Sequence, residues 1–472
     1  MGTISDKLMR IINTKEDIRQ ALISKGYDVP TSIPFKEYAK MISYLPCRVD
    51  SFPDIEGIVA RYSALGLTNE QMAANPVWVD KTGNGHDLQM KNFAWKEGSG
   101  ISDIYPGALV FDGVDDWAGC DNLPLLPKEK GYSIIALRNW ITRYDATQYK
   151  RPLISNLDTN DEGAFLIEYR KDENVNDVTG SYNSFTDVYI DDNNPITWQT
   201  SSSYNGQIIK KGTSKSTNKL CICKTYFGQL SNYANAAIWE LIILDHDATE
   251  EELTKIKDYF VKTYPWLFPD QAWTVTGKTN EDEDRATIAN ITGNSNDLVL
   301  SNFGFVEGSG YNEEGEYAGY LVTDGVDDKV VSAESIAFTD TWTIITDTVF
   351  LGKVSVASGI LASNIFTVYN YQGSGTIAVT MGEGGSSLRV ITSSIKAFSS
   401  DGTIYDAEWN EYHVEIGTIR ALERLLKIGT SSNETSYFCQ LAFKFLGIYN
   451  NQILSKDDCI KAYNYLQTLK AK

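Results

Sequence analysis

The chain carries one passage twice. Thr82-Gly-Asn-Gly-His-Asp-Leu88 returns as Thr292-Gly-Asn-Ser-Asn-Asp-Leu298, Glu97-Gly-Ser-Gly100 returns as Glu307-Gly-Ser-Gly310, and each copy is followed by Asp-Gly-Val-Asp-Asp, at 112–116 and again at 324–328. A spacing kept over so long a stretch is far beyond a solenoid unit of roughly 20–45 residues. Whole domains are repeated, so any fold open to this chain must be built two times over.

The ends of the copies also match. Ala237-Ile-Trp-Glu-Leu-Ile-Ile-Leu244 leads into Thr249-Glu-Glu-Glu252 and then Leu253, Ile256, Tyr259 and Phe260; Ala442-Phe-Lys-Phe-Leu-Gly-Ile-Tyr449 leads into Ser455-Lys-Asp-Asp458 and then Ile460, Tyr463 and Leu466. An apolar strand followed by Ser/Thr-x-x-acid predicts a capping box, in which hydroxyl and acid satisfy free N–H groups of a helix's first turn. From about Phe52 onward, Val, Ile, Thr, Tyr and Phe runs broken by Gly, Asn and Asp predict β-sandwiches, with Tyr132-Ser-Ile-Ile-Ala and Trp342-Thr-Ile-Ile-Thr as matching strands. Tyr264-Pro-Trp-Leu-Phe-Pro-Asp270 reads as a stiff, packed joint. The expected boundaries are 1–46, 52–266 and 270–472.

Residues 1–46 read as helical. Thr14-Lys-Glu-Asp17 is a capping box, Ile18, Ala21 and Leu22 share a face, Gly26 supplies a stop, and Phe35, Tyr38 and Ile42 follow at helical spacing. So short a piece cannot bury much alone. Ile18, Leu22, Phe35, Tyr38 and Ile42 are therefore expected to be covered by other copies or by a docking protein, which makes the segment an attachment or oligomerisation element of a homo-oligomer, a trimer being one that would serve.

Charge narrows the partners. A net charge of −20 and a pI near 4.7 oppose nucleic-acid binding, and no basic patch stands out in the sequence. The first residues lack a basic segment before an apolar core, and no apolar run reaches membrane length, so synthesis in a cytoplasm without membrane insertion is expected. The six cysteines are scattered, with none in matching positions of the two copies, and read as buried thiols.

No catalytic constellation emerges. Two carboxylates about 5–5.5 Å apart are needed for a retaining glycosidase; Glu281-Asp-Glu-Asp284 has the alternation but lies in a polar run whose counterpart, Gln71-Met-Ala-Ala-Asn75, has no acid. His86, His246 and His413 are isolated, without zinc-ligand spacing. The chain is expected not to be an enzyme. For ligand contact the candidate rings are Trp95, Tyr105, Trp117, Trp198 and Tyr204 in the first copy and Tyr311, Tyr317 and Tyr320 in the second, with Trp95, Trp117, Trp198, Tyr311 and Tyr320 foremost; core burial is the commoner fate of any one aromatic.

Thr-Gly-Asn-x-x-Asp-Leu, then Phe111-Asp-Gly-Val-Asp-Asp116 or Thr323-Asp-Gly-Val-Asp-Asp328, then the terminal strand and capped helix, together resemble the concanavalin A-like, laminin-G-like jelly-roll superfamily. The resemblance implies a mainly β chain of two tandem jelly-roll β-sandwiches behind a small α-helical N-terminal segment. It also implies that Asp112, Asp115, Asp324 and Asp327 could ligate calcium, as in some laminin-G-like modules; the competing reading is a Gly-centred turn closed by Asp side chains. No other cofactor is implied. The segment from Leu8 to Leu45 is similar to leaders of structural proteins of tailed bacteriophages. The expected function is that of a virion protein, a head or tail fibre or decoration, that meets other virion proteins through its N-terminal segment and displays lectin-like modules to host or mucosal glycans. The alternative is a bacterial carbohydrate-binding or glycan-processing protein.

Overall fold

The computed structural model describes residues 52–126, 131–142, 150–158, 165–170, 183–186, 196–200, 217–227, 232–352, 358–363, 366–370, 377–381, 387–390, 392–417, 423–430 and 438–471, with Lys15 and Arg19. The chain divides into two compact units, 1–53 and 54–472. In the first unit Lys15 and Arg19, one helical turn apart, are both helical. The attachment residues Ile18, Leu22, Phe35, Tyr38 and Ile42 lie outside the described residues.

The second unit is mainly β. Among the described residues one pair of sheets, of six and seven strands, is built between Ile58 and Leu244, and another pair, of eight strands each, between Gln271 and Asn450. Each pair encloses its own core: Tyr62, Trp78, Leu88, Phe111, Ile134 and Ile222 in the first, Trp273, Leu298, Trp342, Phe366, Phe398 and Ile448 in the second. The repeated strand–turn–helix ends explain the centre of each sandwich. Asn235–Leu244 runs between Ser133–Thr142 on one side and Leu109–Asp112 and Ile58–Ser63 on the other. Leu441–Asn450 runs in the same way between Trp342–Phe350 and the pair Tyr320–Val322 and Gln271–Thr274.

Three helices complete the described part of this unit: α1 (Asn69–Ala74), α2 (Glu250–Thr263) and α3 (Lys456–Thr468). The capping box of α2 forms in full, with the Thr249 hydroxyl accepting from Glu252 N–H and the Glu252 carboxylate accepting from Thr249 N–H. At α3 the Ser455 hydroxyl accepts the Asp458 N–H and donates to Asp458 Oδ2. The apolar face of α2 is buried as its spacing predicts, at Leu253, Ile256, Tyr259 and Phe260. In α3 Leu466 is buried as expected, but together with Cys459, Ala462 and Tyr465, while Ile460 and Tyr463 are only half-buried. The difference arises because α3 packs on two surfaces, its own sheet and the joint between the sandwiches.

That joint is aromatic. Tyr264, Trp266 and Leu267 are buried, in a turn of 3₁₀ helix at Pro265–Leu267. The Tyr449 hydroxyl donates to Trp266 O at 2.9 Å, and the Lys461 ammonium sits 4.6 Å from the Trp266 ring centre. Trp239 of the first sandwich meets Tyr465 of α3 edge-on at 6.2 Å, and Asn464 donates to Asp103 O. The two sandwiches are thereby held as one body.

The first sandwich also buries a charge. Glu240 is fully buried and pairs with Arg61 at 3.2 Å, while the hydroxyls of Tyr259 and Tyr264 donate to Glu240 Oε1 at 3.0 and 2.8 Å. Burial pushes the Glu240 carboxyl up, and Arg61 and the tyrosine do not fully offset it. Five cysteines, Cys120, Cys221, Cys223, Cys439 and Cys459, are buried free thiols, as expected; Cys47 lies outside the described residues.

Candidate functional site

Across one sheet of the second sandwich the strands Tyr320–Val322, Leu441–Asn450, Trp342–Phe350 and Ile395–Ser399 lie side by side, followed by the hairpin Thr403–Asp406 and Glu411–His413. Strand side chains alternate between faces, but here two bulges interrupt the alternation. Phe443 pairs with Thr348 and Phe445 with Asp347, which leaves Lys444 as an extra residue. Ile395 pairs with Asp406 and Ala397 with Tyr405, which leaves Lys396 as another. A bulge re-aims the residue it adds. Lys444 Nζ lies 5.3 Å from the Tyr320 ring centre, and Lys396 Nζ lies 4.8 Å from that of Tyr463 and 5.3 Å from that of Trp409.

Between the lysines stands Asp347, 6% exposed. Its Oδ2 accepts the Tyr320 hydroxyl at 2.9 Å, and its carboxylate accepts a second hydrogen bond from Tyr463. Burial raises the Asp347 pKa above the usual carboxylate range despite these hydrogen bonds and both ammonium groups. The hydroxyls of Tyr320 and Tyr463 are in turn pushed up, by burial first and by the Asp347 charge second.

Trp409 reaches this face from a hairpin tip. Its φ is 63°, a left-handed conformation that costs a residue with a side chain on the order of 1–2 kcal/mol. Asp406 holds the turn: Oδ1 accepts the N–H groups of Glu408 and Asn410 at 3.0 and 2.8 Å, and Oδ2 accepts the Asn410 amide and the Tyr412 hydroxyl, each at 3.0 Å. Burial would raise the Asp406 pKa, yet these donors keep it below the ordinary value. The indole, half-buried, then stands edge-on to Tyr463 at 5.7 Å and tilted against Tyr405 at 6.1 Å, with Glu408 and Asn410 exposed beside it. Three rings, two ammonium groups and polar loop side chains converge here, a combination that suits an oxygen-rich ligand with one apolar face.

Of the described rings expected to contact ligand, Tyr320 belongs to this group, with Tyr317 edge-on to it at 6.0 Å. Tyr311 is 2% exposed, with its hydroxyl donating to Arg285 O, so it is a core residue and offers no ring face. Trp95 is half-buried, stacking on Phe93 at 4.8 Å and packing against the first core, and lies apart from this group. Trp117, on the first sandwich and so apart from this group, lies edge-on to Phe227 at 5.8 Å with the Lys224 ammonium 4.1 Å from its ring centre, an arrangement like that of Trp409. Trp198 is on the strand Ile196–Thr200, but its side chain lies outside the described residues.

The aspartates of the twin turns are brought together in both copies, with one carboxylate oxygen from each of Asp112, Asp115 and Asp116, or of Asp324, Asp327 and Asp328, within 4.8 Å of the others. Most of this geometry is turn chemistry. Asp112 Oδ1 accepts the N–H groups of Val114, Asp115 and Asp116 at 2.8, 3.2 and 3.2 Å, and Asp324 Oδ1 does the same for Val326, Asp327 and Asp328 at 2.8, 3.3 and 3.4 Å. Gly113 and Gly325, both at φ 75°, permit the turn. Asp116 Oδ2 and Asp328 Oδ2 accept the N–H groups of Asp112 and Asp324, while Asp116 Oδ1 and Asp328 Oδ1 are buried without a hydrogen bond. Burial raises both carboxyls to about 6. Calcium takes about six to eight oxygens. With Asp112 Oδ1 and Asp116 Oδ2 already engaged, the three carboxylates fall short of such a cage.

The chief residues of the face, Trp409, Lys396 and Lys444, were not legible as a group because they are far apart in sequence and meet only through strand order. One local signal existed: Tyr405-Asp-Ala-Glu-Trp-Asn410 places a tryptophan in a polar turn where Gly or Asn would be usual.

No protein-family model matches the chain, and no curated protein matches it. Solved structures to which it is similar include the sialidase of Trypanosoma rangeli in complex with sialic acid, at 10% identity and a TM-score of 0.29, covering 50% of this chain and 41% of the sialidase. Another is the binding domain of botulinum neurotoxin DC in complex with SialylT, at 12% identity and a TM-score of 0.29, covering 42% of this chain and 52% of that domain. The chain thus spans less than half the length of the sialidase it matches. Overlaps of this extent say nothing of what the chain binds.

Proposed function

We propose that the chain is a non-catalytic display protein of a bacteriophage particle, a head or tail fibre or decoration, whose paired sandwiches adhere to glycans. The observation that carries the binding role is the convergence of Trp409, Tyr463 and Tyr320 with the bulge residues Lys396 and Lys444 on one sheet face. The N-terminal resemblance to phage structural proteins supports the virion setting. A non-catalytic role is supported by how the acids are used: Asp112 and Asp324 close turns, Asp406 holds a hairpin, and Glu281 and Glu283 are exposed in a stretch of turns. Many copies on one particle would add weak contacts through high effective concentration.

A glycan array probed with the full chain tests this reading. The wild type should retain a subset of glycans, and Trp409→Ala should lose them while keeping the wild-type melting profile. A wild type that binds no glycan, or that releases oligosaccharides in a way abolished by Glu281→Gln, would overturn it. Labelled antibody on the source particle, seen by electron microscopy, tests the virion setting.

A further inference from the structure

Neither lysine of this face is in ion-pair contact with an acid among the described residues, although the Asp347 charge interacts with both. The acid between them, Asp347, is buried and occupied by Tyr320 and Tyr463. The chain carries 62 acidic residues against 42 basic ones, and Lys396 and Lys444 bring two ammonium groups to one face of it, beside the buried Asp347 and the exposed Glu408. Both are also set at bulges, on either side of the strand Trp342–Phe350, which places their backbones about two strand spacings, roughly 10 Å, apart.

We propose that the ligand of this face is an acidic glycan, one bearing carboxylate or sulfate groups. The inference rests on the glycan reading above and adds the charge of the ligand. A sugar ring would lie against the Trp409 indole, with its anionic substituent taking charge-assisted hydrogen bonds from Lys396, and a substituent on a neighbouring sugar would reach Lys444. Asp347 has a positioning role: it fixes the rings of Tyr320 and Tyr463, against which the two ammonium groups rest.

The test uses the full chain and two matched pairs of immobilised polymers: dextran sulfate against dextran, and polygalacturonate against its methyl ester. The array supplies further acidic and neutral pairs. The wild type should bind the acidic member of at least one pair, and that binding should weaken steeply with added salt. Lys396→Gln and Lys444→Gln should each weaken it about tenfold or more, the scale of a lost hydrogen bond to a charged group. Lys396→Arg should preserve binding, which separates loss of charge from loss of folding if the glutamine variant melts early. Equal binding of acidic and neutral members, or glutamine variants that bind as the wild type does, would overturn the inference and leave the glycan reading standing. Absence of binding to every polymer and every array glycan would remove both. Sulfate and carboxylate are distinguished by which pair responds.

Discussion

Asp116 and Asp328 occupy the same place in the two sandwiches and carry the same burden. Each is fully buried, each has one oxygen without a donor, and burial lifts each pKa to about 6. Because the folded value lies above the unfolded value of about 3.9, the fold binds the proton more tightly than the unfolded chain does. The associated stability is fully present below about pH 4 and is lost as pH rises through 6. At about 1.4 kcal/mol per pKa unit, each carboxylate costs the fold roughly 2–3 kcal/mol at neutral pH. Asp116→Asn, whose amide oxygen can still accept the Asp112 N–H, should therefore raise the melting temperature at pH 7.5 and change it little at pH 4. An equal shift at both pH values would show that the charge is not the cause. Millimolar calcium should leave the wild-type melt unmoved; a marked rise would mean that a cation does neutralise the turn. The turn itself was legible in Asp-Gly-Val-Asp-Asp, since Gly and Asp at those spacings have few other uses. The burial of its last aspartate was not, because that depends on the residues folded over it, Ser99 and Ser309 among them.

At the scale of elements, equivalent positions of the repeat have taken different solutions. By strand register Glu240 corresponds to Phe445 and Arg61 to Ala272. The first sandwich fixes α2 on its sheet with a buried ion pair and two tyrosine hydroxyls, whereas the second sets Phe445 against Tyr463 of α3 at 5.1 Å. Removing one member of a buried pair leaves a bare charge and costs about 3–5 kcal/mol, while replacing both by apolar groups is often neutral. Arg61→Met should thus lower stability to denaturant strongly, and Arg61→Met combined with Glu240→Met should recover most of the loss. A double variant as unstable as the single one would mean that the tyrosine hydroxyls, left without an acceptor, dominate. The bulges show the same divergence. Trp239 and Lys444 are the extra residues at matching bulges, one fully buried in the joint, the other facing the ring cluster. Sequence alignment of the copies reveals such substitutions but not their meaning, because a bulge is a property of two paired strands and is not written in either alone.

At the scale of the molecule, the consequence of the joint is cooperativity. The apolar residues between the two prolines, 265 and 269, predict a packed linker, and Trp266 and Leu267 are each 1% exposed. What the sequence does not disclose is that α3, the last helix of the second sandwich, also packs against the first, through Tyr465 on Trp239 and Asn464 on Asp103 O. Two domains with separate cores but a shared aromatic seam should unfold together when the seam is worth more than the difference in their own stabilities. Truncating a buried Trp or Phe to Ala costs about 3–5 kcal/mol, and Trp239 additionally gives up the bond from its indole N–H to Pro106 O at 2.9 Å. We therefore expect calorimetry of the chain to show one transition for both sandwiches. Tyr465→Ala should split it, with the second sandwich melting first because α3 is then held on one side only, and the first sandwich keeping a core that Tyr465 never enters. A single, lower transition in Tyr465→Ala would place the coupling in the Pro265–Leu267 turn instead. Two transitions already present in the wild type would show that the seam joins the sandwiches in space without coupling their folding.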